Sequence, residues 1–174
     1  MAWQVDTAHT QASFSIRHLG VSFISGTMRV ADAELQLDED NPANSGLKVR
    51  MDMNSFTTHD PNRDGHLKSP DFFDVANNPY IEFASSRIQD KGNGKFAVTG
   101  NLTIKGVSGE VELDGEYAGP VADPISGKRK VGFELKGQID KKDFGVTWNV
   151  PMEGGKFMLA DRVNLNINAQ AIEA

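Results

Sequence analysis

The chain has 174 residues, 39% of them hydrophobic, which suits one core and a single domain spanning residues 1–174. A formal net charge of −6, with lysines and arginines scattered rather than gathered into a stripe, opposes a nucleic-acid backbone and argues against such a partner. Cys is absent, so disulfides and thiolate nucleophiles are excluded and stability has to come from packing and hydrogen bonds.

The opening Met1-Ala2-Trp3-Gln4-Val5-Asp6 lacks the basic start and apolar run of a secretory signal, and no apolar run approaches the roughly 20 residues of a membrane span. A soluble, cytoplasmic protein without stable membrane insertion is the expectation. A periplasmic or secreted protein is the alternative if the N-terminus has been trimmed.

Period-two alternation then runs along the chain. Ala12, Phe14, Ile16 and His18 share one face; Met28 and Val30 follow, then Leu47, Val49, Met51 and Met53. After an interruption come Ile81 and Phe83, then Phe96, Val98, Gly100, Leu102 and Ile104, then Val107 through Tyr117 at every second residue. Val131 to Ile139 and Val163 to Ala169 complete a set of about eight strands. Asp38 to Pro42, Asp90 to Gly94 and Gly119 to Gly127 carry the Gly, Pro, Asn and Asp of tight connections, and Gly106 suits either a bend or a tight reversal. A sheet of this many long strands generally removes its edges by closing, so an all-β antiparallel eight-stranded barrel is expected, with a flattened sandwich as the alternative.

Between Met53 and Tyr80 the alternation fails, and Pro61, Pro70 and Pro79 exclude a central strand. Asp60-Pro61 and Ser69-Pro70 each read as an N-cap followed by Pro at the first helical position, predicting two short helical turns within residues 60–78. Leu67, Phe72 and Phe73 would face the barrel end as a lid, with Lys68 and Asp74 in water.

The run Arg63-Asp64-Gly65-His66-Leu67-Lys68-Ser69-Pro70-Asp71-Phe72-Phe73-Asp74 resembles the signature of the YceI family. Trp3 to Asp6 with His9-Thr10, Phe14 to Gly20, Pro79 to Phe83, Gly100 to Val107 and Lys142-Asp143-Phe144-Gly145 are similar to that family's pattern in the same order. The resemblance implies an extended lipocalin-like barrel whose interior binds a polyisoprenoid, an isoprenoid quinone or a similar long-chain lipid for transport, storage or sequestration. It does not establish a catalytic reaction, and the expectation is of no catalytic residue, no metal and no required cofactor beyond that lipid.

Strands of about ten residues, tilted near 40°, would give a lumen about 25 Å long, the length of a lipid tail. The candidate lining residues are Phe14, Ile16, His18, Met28, Val30, Met51, Met53, Phe72, Phe73, Phe83, Leu102, Ile104, Val111, Phe133, Leu135, Trp148, Leu165 and Ile167. Arg63, Asp64, His66 and Asp71 are candidates for head-group contacts or for holding the lid together.

Other readings stay open. The lining set could simply be core. Asp64 and His66 could act on a lipid head group, or recruit Ser69 as a hydrolase would, although no Gly-x-Ser-x-Gly elbow is present. His9, His18, His59 and His66 show no spacing typical of zinc ligands. A structural or stress-related interaction protein, and a homodimer formed through an exposed edge or the barrel mouth, complete the alternatives.

Overall fold

The computed structural model of the chain describes residues 2–174. Its strands are β1 (Trp3–Val5), β2 (Gln11–His18), β3 (Ser22–Gln36), β4 (Gly46–Thr57), β5 (Tyr80–Gly92), β6 (Lys95–Ile104), β7 (Val107–Ala122), β8 (Arg129–Asp140) and β9 (Leu159–Glu173). They follow the order β1-β9-β2-β3-β4-β5-β6-β7-β8, every pairing is antiparallel, and β8 pairs again with β9 to close the ring. The ring has eight places because β1 and β2 lie along the same side of β9: Val5 pairs with Ala171 and Gln11 with Asn168. The expected barrel forms, and the ninth strand is the first one interrupted.

That interruption has a local cause. The Asp6 carboxylate accepts hydrogen bonds from the Ala8 amide and from Gln170 Nε2 and lies 2.7 Å from His9 Nδ1, winding Thr7–His9 into one turn of 3-10 helix.

Elsewhere the connections alternate between two ends. Asn93-Gly94 and Lys105-Gly106 are two-residue reversals with positive φ at both positions (56° and 76°; 53° and 75°), the geometry that matches strand twist in a tight hairpin. Lys105-Gly106 is thus a reversal and not a bend within one strand.

Inward rings need room, and small residues on the neighbouring strand supply it. A Cβ at Gly26 would stand 2.5 Å from the Phe14 ring, one at Gly100 2.4 Å from Phe83, and one at Gly115 2.3 Å from Phe96. These glycines let aromatic side chains lie flat against the wall, so the lumen holds rings without widening.

Between β4 and β5, Asp60 caps helix α1 (Pro61–Lys68) by accepting from the Asn62 and Arg63 amides, with Pro61 at the first position as the Asp-Pro step predicts. The second expected helical turn does not form. Ser69 ends α1, and the amides of Phe73, Asp74 and Val75 donate back to the carbonyls of Leu67, Ser69 and Lys68. The chain is thereby folded under the helix and reverses at Asp74 (φ 47°), burying Phe72 and Val75, which a helix continuing outward from Pro70 would not do. No helix among the described residues is long and apolar enough to cross a membrane.

Candidate functional site

Inward side chains fill the ring unevenly and leave two apolar cavities whose described lining residues do not overlap. The lid-end cavity, about 200 Å³, is lined by Phe14, Ile16, Met28, Ile104 and Leu165 from the strands and by Leu67, Phe72, Phe73, Phe144 and Trp148 from the two connections that cover it. The far-end cavity, about 290 Å³, is lined by Leu35, Leu47, Ile88, Phe96, Tyr117, Phe133, Leu135 and Ala169, together with Leu37, Asp38, Glu39 and Pro42 of the β3–β4 connection.

Between them the strands contribute Val30, Val49, Met51, Phe83, Leu102, Val111, Leu113 and Ile167, which belong to the core and line neither cavity. Met53, 1% exposed, is packed in the same core, again lining neither. The single tunnel expected from strand length is therefore interrupted. Strand length fixes how long a lumen can be, but side-chain volume decides where it is open. Here the Phe83 ring covers Gly100 and Leu113 covers Gly137, where a Cβ would meet the leucine methyl at 2.4 Å.

The lid end is held by aromatic contacts. Phe56 stacks on Phe14 at 5.3 Å and 8° and meets Phe73 at 5.6 Å. Trp148, from the β8–β9 connection, meets the His66 ring edge-on at 4.8 Å and Phe72 at 5.0 Å, so the two connections close on one another through those rings.

The polar residues of the lid divide by what they bind. Asp64 accepts from the Thr58 amide at 2.8 Å and from the hydroxyls of Thr58 and Thr57. Burial pushes its pKa up, but the hydrogen bonds from Thr58 and Thr57 outweigh this and hold it below the usual aspartate value. Arg63 donates through Nε to Thr58 Oγ1 and through Nη2 to the Thr58 carbonyl, both at 2.8 Å, and lines the lid-end cavity. His66 Nε2 lies 3.0 Å from Asp71 and lines the same cavity. Ser69 Oγ donates to the His66 carbonyl, so Ser69, His66 and Asp64 are each tied to groups outside the relay that a hydrolase would need. Among the described residues no three of His, Asp and Glu gather as metal ligands.

Several inward residues were missed in the sequence, and one of them is charged. Lys141 lines the lid-end cavity with its side chain 6% exposed. It continues the period-two series Val131, Phe133, Leu135, Gly137, Ile139, which would have placed it inside. Burial lowers its pKa, against the opposing pull of Asp161 and Asp140. Phe56, 2% exposed, was missed too.

The far end is fastened by charge. Arg129 donates to both oxygens of Glu39 at 2.9 and 3.1 Å and to both oxygens of Glu173 at 3.0 and 3.1 Å, tying the β3–β4 connection to the last strand.

Comparison with known proteins places this geometry in company. A family model described as a YceI-like domain matches residues 3–171. Protein YceI of Salmonella arizonae is 39% identical over 139 residues, 80% of this chain and 72% of that protein. Among solved structures, Burkholderia cenocepacia BcnA superposes with a TM-score of 0.80 at 25% identity, covering 96% of this chain and 99% of that one. A polyisoprenoid binding domain from Saccharophagus degradans shares the fold, with a TM-score of 0.67 at 13% identity over 100% of this chain and 99% of that one.

Proposed function

The chain belongs to the YceI family, and from that premise we propose that its lumen holds one long apolar chain, an isoprenoid or a similar amphiphile, and carries, stores or sequesters it. The polar head sits at the lid end and the tail reaches into the far-end cavity. The observation that carries this reading is the pair of apolar cavities within one closed ring, the first of them under a lid of rings.

Pockets for drug-sized ligands start near 300 Å³. The far-end cavity, about 290 Å³, stands at the bottom of that range, the lid-end cavity, about 200 Å³, falls short of it, and the two together lie within it. A chain spanning both displaces the middle layer, where Met51 is unbranched and readily repacked. Each CH₂ moved out of water gains about 0.8 kcal/mol, so ten give about 8 kcal/mol before ordering costs, and affinity needs no further polar machinery. The polyisoprenoid binding domain that shares this fold supports the ligand class. Binding in this way requires no metal or cofactor and no bond breaking, and the proposed role is that of a binder.

The experiment is to purify the protein without detergent, extract it with organic solvent and identify stoichiometric lipid by mass spectrometry. A prenyl chain, quinone or fatty derivative is the expected result. A clean extract, together with failure of the same protein to take up added prenyl lipids, would overturn the reading.

A further inference from the structure

Four basic side chains lie among the residues lining the lid-end cavity: His18, Arg63, His66 and Lys141. Two of them are paired and a third is only half-buried. Arg63 donates twice to Thr58, His66 is paired with Asp71 and 42% exposed, and His18 is half-buried at the end of β2.

Lys141 differs. Its side chain is 6% exposed, and its Nζ reaches the Val146 carbonyl at a long 3.4 Å. The nearest carboxylate is that of Asp161, 45% exposed: its Oδ1 lies 3.9 Å from Nζ, beyond hydrogen-bond distance, while its Oδ2 is bound at 3.0 Å by Lys142. An ammonium has three donors, and a buried cation with one long hydrogen bond is costly compared with an apolar side chain in the same place. The position itself invites an apolar residue, since it follows Leu135, Gly137 and Ile139 in phase and looks into a cavity walled by Ile16, Ile104 and Phe144. Within the barrel the ammonium has only the long bond to Val146 and the distant Asp161 oxygen, which leaves donors for a ligand that brings its own acceptor.

We infer that Lys141 is a head-group anchor that makes the lid-end cavity prefer apolar chains ending in a carboxylate. The inference rests on the lumen reading and names the chemistry of the head. One ammonium matches one negative charge, and the guanidinium of Arg63 is committed to Thr58, so a monoanion fits better than a diphosphate. In the filled protein the carboxylate accepts from the Nζ donors that Val146 leaves free, away from water, while the chain runs down the lumen.

The test compares hexadecanoate with hexadecanol in wild type, Lys141→Met and Lys141→Arg. Hydrogen bonds to charged groups predict a preference of about tenfold or more for the acid in wild type. That preference should collapse in Lys141→Met and survive in Lys141→Arg. Both chains binding with an acid-to-alcohol ratio that Lys141→Met leaves unchanged would overturn the anchor and spare the lumen reading. No binding of either chain to wild type, in a protein that also takes up no prenyl lipid, would overturn both. A second measurement needs no variant: ¹⁵N spectra of the lysine side chains should show the Lys141 signal moving with hexadecanoate and not with hexadecanol, and an equal response to both would count against the anchor.

Discussion

At the lid end the barrel is stopped by rings, with Phe14 on Phe56, Phe56 against Phe73, and Trp148 between His66 and Phe72. At the far end the stopper is ionic, a single guanidinium forked between Glu39 and Glu173 and set 5.4 Å from the Trp3 ring. The difference lies in what each closure can exchange for. Ring contacts at the lid can be replaced by a lipid chain at little loss, because both are apolar contact. A partly exposed ion pair has no such substitute in a lipid, and its Glu39 arm, 37% exposed, is weakened by salt instead. On the proposed reading, the lid end is the one suited to admit a ligand and the far end the one suited to retain its tail.

The largest effect should come from the ring stack. Phe56→Ala, which empties the most buried aromatic position and strands Phe14 and Phe73, should lower stability by about 3–5 kcal/mol in chemical denaturation. Next is the layer between the ends. Gly100→Ala drives a Cβ to 2.4 Å from the Phe83 ring and 2.5 Å from the Ala84 carbonyl, and should cost about 1–3 kcal/mol. Gly132→Ala, with nothing within 4 Å, should stay within about 0.5 kcal/mol and serves as the control. If both behave alike, the layer is loose and does not separate two ends.

Asp60→Ala removes the cap of α1 and should cost about 1 kcal/mol. If α1 is part of the lid, the same change should speed lipid release. Asp64 adds a pH dependence of known sign. Its folded pKa lies below the unfolded value of 3.8, so the stabilisation it gives is present above about pH 4 and lost as pH falls through the folded value. Asp64→Asn should therefore flatten the acid limb of the stability curve. The smallest expected effect is the one that separates the closures. At 1 M salt, amide exchange should rise in the β3–β4 connection around Asp38 to Pro42 and stay level in α1; a uniform rise would remove the contrast.

Most of the barrel could be read in the sequence because alternation survives wherever a strand keeps its register. It was lost at bulges. In β3 the inward phase of Met28 and Val30 changes to that of Leu35 after the register shift between Val30 and Asp32. In β5, Ile81 and Phe83 give way to Ile88 across the shift between Ser85 and Arg87. An extra residue moves every later side chain to the other face, so Leu35 and Ile88, and much of the far-end cavity with them, lay out of phase with the series that pointed inward. Phe56 was lost in the same way beyond Met51 and Met53, where pairing to β3 shifts between Arg29 and Thr27. Asp60-Pro61 was legible because a cap is a local event. Ser69-Pro70 was not, because burial of Phe72 and Val75 redirected the chain there. The division of the lumen depends on the packing of Phe83 over Gly100 and Leu113 over Gly137, contacts between strands that no single stretch of sequence contains.

The most direct measurement uses the two tryptophans, one at each end: Trp148 lines the lid-end cavity, and Trp3 packs on Val131 and Ala171, which line the far one. Trp3→Phe and Trp148→Phe each leave one reporter. Each would be titrated with a long apolar chain carrying a nitroxide quencher either beside its head or at its tail. A chain threaded through the lumen predicts saturable quenching of Trp148 by the head-labelled chain and of Trp3 by the tail-labelled chain, with the crossed pairs weaker. Equal quenching of both reporters by both labels, or none that saturates, would contradict a lumen that holds one chain from end to end.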